Sequence, residues 1–163
     1  MAKDATAGGG EPLFSRRDGE LLPARFELTE ASGPVSPAFQ YKLRILVVAN
    51  GDGVRLSYED VGEYEGGKPR RNRKYDGPLT RKGYERLVRE LAAEGMLELG
   101  ERSLTPAPQA RVGVSYNQLS VTVGKRTLVK VVYTLARLKT SEGATLAKVI
   151  ARLRRVLRLK LMG

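Results

Sequence analysis

Five cations fall within seven residues of the stretch GGKPRRNRKY: Lys68, Arg70, Arg71, Arg73 and Lys74, with no acid among them. Guanidinium and ammonium groups at this density suit the neutralisation of phosphate or carboxylate oxygens. On duplex nucleic acid each neutralised phosphate releases counterions, so log K falls against log salt with a slope of roughly −0.9 per contact. Tyr64 and Tyr75 flank the loop and are candidates for stacking on unpaired bases. The same residues also have a plainer reading. Glu59, Asp60, Glu63 and Glu65 lie just upstream, with Gly66 and Gly67 as a hinge. Folded back on the cations, these acids would form exposed pairs contributing roughly 0–1 kcal/mol and setting no function.

A second basic group closes the chain. In TLAKVIARLRRVLRLKL, Leu146, Val149, Ile150, Leu153, Val156 and Leu157 make one apolar stripe at helical spacing. Lys148, Arg152 and Arg155 cluster opposite it, with Arg154 and Arg158 on one flank. Packing of the stripe on a sheet leaves the basic back in solvent. No Trp or Phe in the stripe anchors it in a lipid interface. Leu159 falls on the basic face, so either the helix frays there or that leucine meets another chain.

Other chemistries are narrowed by what is missing. The 163 residues include neither Cys nor His. Disulfides, thiolate nucleophiles, zinc centres of the usual ligands and Ser-His-Asp devices are therefore excluded. The acidic run YEDVGEYEGG lacks the D-x-[DN]-x-[DN]-G spacing of a calcium loop, and NGDG and VGVSYN match neither phosphate-binding glycine pattern. No metal, cofactor or small-molecule substrate is expected.

Charge is placed as unevenly as these clusters suggest. Residues 111–163 hold twelve Lys/Arg against one acid, Glu142, which is the whole of the +11 net charge. Such asymmetry points to an anionic partner. MAKDATAGGGEP has no apolar core of a secretory signal, and the longest apolar run, ILVVA, is far too short to cross a bilayer, so a cytoplasmic protein is expected.

The elements that must carry these groups follow from periodicity. Residues 1–20 lack an apolar period and read as a disordered tail, with one domain over 21–163. RFELTE alternates as a strand, and ASGPVSP breaks it. Residues 39–49 then place Phe39, Tyr41, Leu43, Ile45 and Val47 on one face, before the turn signal NGDG and a returning strand VRLSY. A polar connection over 59–77 leads to Thr80 as an N-cap. Tyr84, Leu87, Val88 and Leu91 follow at helical spacing up to Gly95 as a C-terminal stop. MLELG reads as a short strand and SLTPAPQA as loop. Strands over 114–123 and 127–136 turn at Gly124, Lys125 and Arg126, and the basic helix follows. The fold class is α+β: an antiparallel sheet of about five strands with two helices packed on one face.

Two functions follow. The first is a non-enzymatic binding module whose basic surface engages nucleic-acid backbone or an acidic protein. Lys68, Arg70, Arg71, Arg73 and Lys74 are its main contacts, with Arg152 and Arg155 secondary. The second is a protein-interaction or protease-inhibitor-like domain using a strand edge or the segment SGPVSPAFQ, with no nucleic-acid role. The element order is similar to that of small bacterial metalloprotease-inhibitor domains of the emfourin type. That likeness is of element order alone and transfers no functional residue.

Overall fold

The computed structural model describes residues 19–31, 41–51, 53–62, 64–65, 68–69, 72–104 and 117–160. The expected tail up to residue 18, the segment SGPVSPAFQ at 32–40, most of the SLTPAPQA loop, and Arg70, Arg71 and Glu63 lie outside the described residues.

Strict alternation makes the centre of the sheet. In β1 (Ala24–Ala31) Ala24, Phe26 and Leu28 point into the core, and in β2 (Tyr41–Asn50) Leu43, Ile45, Val47 and Ala49 do the same. These strands pair antiparallel, and β2 continues through the Asn50↔Gly53 turn into β3 (Gly53–Gly62). On the other side of β1 lies β8 (Asn117–Val123), joined through Gly124, in the left-handed region at φ 58, to β9 (Arg126–Tyr133).

The sheet is larger than expected and is mixed. Its seven strands run β6-β3-β2-β1-β8-β9-β7, with β6 (Arg73–Leu79) at one edge and β7 (Glu101–Leu104) at the other. β7 pairs parallel to β9, the only parallel pair among the described residues. Both added strands escaped the pattern because they are edges. RKYDGPL contains Gly77 and Pro78, which an edge strand tolerates. ERSL buries only Leu104. The apolar residues of MLELG, expected as a strand, instead form a 3₁₀ turn (Met96–Glu98) that sends Met96 and Leu99 into the core. Within the expected connection, β4 (Tyr64–Glu65) and β5 (Lys68–Pro69) form a two-strand ribbon, with the Asn72 side chain accepting from Gly62 N–H at 3.1 Å beside it.

Two helices share the core with this one sheet face. Helix α1 (Arg81–Ala93) starts where Thr80 Oγ1 accepts from Gly83 N–H at 3.0 Å, and ends before Gly95 at φ 96. Its Tyr84 ring meets Phe26 edge-on with centroids 6.0 Å apart. Helix α2 (Ala144–Arg154) buries Leu146, Val149, Ile150 and Leu153. It stops six residues short of the basic stretch's Lys160, because the chain tightens into a 3₁₀ turn (Val156–Leu159). At 3.0 rather than 3.6 residues per turn, the tightening rotates Leu159 inward, where it is buried. The leucine that sat on the basic face of an ideal helix is thus a core residue. No helix among the described residues is long and apolar enough to cross a membrane.

Candidate functional site

The two outer surfaces carry charge in different ways. On the open sheet face, antiparallel register sets each acid among cations. Arg44 Nε and Nη2 donate to Glu27 Oε2 at 3.1 and 2.9 Å, and Arg25 reaches Glu27 Oε1 at 3.4 Å. Glu59 lies between Lys42 at 3.1 Å and Lys74 at 3.8 Å, and Asp76 meets Arg55 at 3.2 Å. Partial burial pushes the Glu27 carboxyl up, but the Arg44 and Arg25 guanidiniums outweigh it and hold Glu27 below the ordinary carboxylate range. Lys42, bonded to Glu59, holds that carboxyl down too. A shallow depression of about 400 Å³ lies over these pairs, and its walls are already matched in charge.

The helix layer differs. Between α1 and the end of α2 runs a cleft of about 270 Å³ lined by Arg86, Glu90, Arg152, Arg155, Arg158 and Leu159. Arg86 donates to Glu90 at 3.0 Å, one turn along α1, and Arg152 to Glu94 at 3.1 Å. Among the described residues, Arg155 and Arg158 have no acid within salt-bridge distance, and both are exposed. The cleft owes its shape to Gly83. A Cβ there would collide with the Leu159 carbonyl, so only glycine lets the 3₁₀ turn lie this close to α1. Thr80 Oγ1 and the same carbonyl approach to 3.5 Å.

Arg154 takes no part in this row. It turns inward to Glu30 Oε1, while Tyr133 donates its hydroxyl to Glu30 Oε2 at 2.6 Å. Glu30 is fully buried, and both its oxygens are satisfied from two different layers of the fold. Burial, reinforced by Glu30, raises the Tyr133 hydroxyl far above its ordinary range, so Tyr133 stays a neutral donor. Burial lowers the Arg154 value, but Glu30 more than offsets it and the guanidinium stays charged. Tyr58 adds a hydrogen bond of 3.5 Å to the Arg154 carbonyl. The end of α2 is therefore tied to β1, β3 and β9, which fixes where Arg152, Arg155 and Arg158 project.

Of the cations expected to bind, Arg152 and Arg155 come together in the cleft, joined by Arg158 and by Arg86 from α1. Arg73 and Lys74 are exposed on β6, and Lys74 is the partner of Glu59. Lys68 and Tyr64 sit on the two-strand ribbon, with side chains outside the described ones. The Tyr75 ring lies under Lys160 Nζ at 4.2 Å, and its hydroxyl donates to the Pro78 carbonyl at 2.7 Å. This contact seats the residue after the 3₁₀ turn on β6, two positions from Arg73. Glu30 and Arg86 were not singled out from sequence, although Glu30 continues the inward alternation Phe26, Leu28, Glu30. An acid at an inward position requires buried partners, and that signal was present. No group of three Asp or Glu among the described residues is placed to hold a metal ion. No protein-family model matches the chain, and no curated protein matches it.

Proposed function

We propose that the protein is a non-enzymatic binding module that engages an anionic partner through its helix layer. The observation that carries this reading is the cleft in which Arg155 and Arg158 stand beside Arg86 and Arg152 without an acid of their own. Unmatched guanidiniums attract carboxylate or phosphate at long range and hold it through two parallel N–H donors at contact. On the open sheet face Arg25, Arg44, Lys42, Lys74 and Arg55 are engaged by Glu27, Glu59 and Asp76 and have less to offer. Arg73 extends the surface, because it shares the Tyr75 side of β6, where Lys160 seats the C-terminal turn; Lys68, Arg70, Arg71 and Lys74 are proposed as further contacts on the sequence alone. The non-enzymatic part rests on the absence of His and Cys from the chain.

Retention of the whole chain on immobilised heparin, eluted with salt, tests the reading. The wild type elutes at clearly higher salt than Arg155→Ser/Arg158→Ser, and changing the five loop cations to Ser lowers the elution point further. Elution of the wild type at the salt of a neutral control, or equal retention of all variants, refutes it.

A further inference from the structure

We infer that the cleft between α1 and the 3₁₀ turn takes the sugar-phosphate backbone of double-stranded nucleic acid. This rests on the anionic-partner reading above and narrows it. Three observations favour a duplex over the other polyanions.

The first is what the face lacks. Protein partners are anchored by aromatic or aliphatic side chains entering a desolvated centre. The only large apolar residue exposed among the described residues is Leu135, on the 3₁₀ segment Leu135–Lys139 outside the cleft, and Leu159 at the cleft floor is buried. A surface of charge without apolar anchors is the composition of a backbone-reading nucleic-acid interface.

The second is the absence of a stacking platform on the two helices, both of which lie among the described residues. Single strands are held by rings on which bases stack. On α1 and α2 the one aromatic is Tyr84, which is buried beneath the sheet. The Tyr75 ring is covered by Lys160. Bases therefore gain little here and phosphates gain much.

The third is the row itself. Arg152, Arg155 and Arg158 step by three residues from the last turn of α2 into the 3₁₀ turn. At rises of about 1.5 and 2.0 Å per residue, the row spans roughly 9–12 Å. One strand of a duplex presents a phosphate about every 3.4 Å along its axis, so the row covers about three of them. All four cations of the cleft are arginine, whose planar fork matches phosphate oxygens. Glu90, the single acid in the lining, is already bonded by Arg86. No side chain here is placed to read base edges, so binding follows backbone geometry and not sequence.

Fluorescence anisotropy on the whole chain tests this. The probes are a short DNA duplex, an RNA duplex of the same sequence, the single DNA strand, heparin and polyglutamate, each over about 50–200 mM salt. We expect a duplex to bind more tightly than the single strand and polyglutamate, and two unrelated duplex sequences to bind alike. In Arg155→Ser/Arg158→Ser the log–log salt slope should flatten by about 1.8, two contacts at roughly 0.9 each, with affinity down at least about tenfold. The DNA and RNA arms show which helix form fits better; a preference for either supports the inference. Heparin or polyglutamate binding that depends on Arg155 and Arg158, without duplex binding, overturns it and leaves the broader reading intact. Tighter binding of the single strand also overturns it. No binding of any polyanion overturns both.

Discussion

The open sheet face and the helix face are built from the same charged residue types, yet they end in different electrostatic states. On the sheet, pairing register decides. Thr29↔Arg44 and Glu27↔Leu46 place Arg44 diagonally beside Glu27, and Arg44↔Glu59↔Lys74 runs straight across three strands. Glu27, Glu59 and Asp76 on that face each have a cation within reach. In the helix layer, Glu85, Glu90 and Glu94 are taken by Arg81, Arg86 and Arg152, and the single acid after residue 110, Glu142, is bonded to Arg137 at 2.8 Å. Among the described residues no acid is within salt-bridge distance of Arg155 or Arg158. Total charge is thus a poor guide to a binding face; charge left unpartnered is a better one.

The largest expected effect strikes the one α2 arginine that is structural. Arg154→Ala leaves Glu30 buried with Tyr133 as its remaining partner, and should cost about 3 kcal/mol, read from the urea midpoint. Gly83→Ala comes next. The new methyl meets the Leu159 carbonyl, and overpacking of this kind costs about 1–3 kcal/mol. Because the turn must move away from α1, the same variant should also weaken polyanion binding, whereas an open-face variant of equal stability should not.

The contrast itself is sharpened by paired surface variants. Arg155→Ser/Arg158→Ser should leave stability within about 0.5 kcal/mol while heparin retention falls. Lys42→Ser/Arg55→Ser removes one cation from Glu59 and one from Asp76 and should leave the urea midpoint and heparin retention nearly unchanged. The reverse result would show that the sheet face is the binding surface.

The smallest effects are those of pH. Glu27 and Glu59 are held below their ordinary range by their cations. Their contribution to stability is complete above about pH 4.3, the unfolded carboxylate value. It shrinks as pH falls through the depressed folded values, so denaturation midpoints should decline below about pH 4. Binding behaves otherwise. With a cleft of arginines and no histidine in the chain, affinity for heparin should be flat from about pH 6 to 9.

Much of the fold was legible because alternation and helical spacing report burial directly. Phe26 and Leu28, Leu43 to Val47, and the stripes of both helices fell where expected. Edge strands were not legible: β6 and β7 bury too little to write a pattern and contain the residues that signal turns. Arg152 and Arg155 were legible as a basic back, but Arg86 was not, since its role depends on which helix packs beside α1. Gly83 has no side chain to complete a capping box at the start of α1, and the sequence alone offers no reason for it. Tertiary contact explains it, through the Leu159 carbonyl that lies against it. Leu159 fell on the basic face of an ideal helix for a related reason: helical periodicity cannot announce where an α-helix tightens into a 3₁₀ turn.

The most direct test follows arginine Nε–H resonances by NMR while a short DNA duplex is titrated into the whole chain. Arg155 and Arg158 should shift first and furthest, with Arg86 and Arg152 following, while Arg25, Arg44 and Arg55 stay in place. Movement of the open-face arginines with Arg155 and Arg158 unmoved would contradict the account.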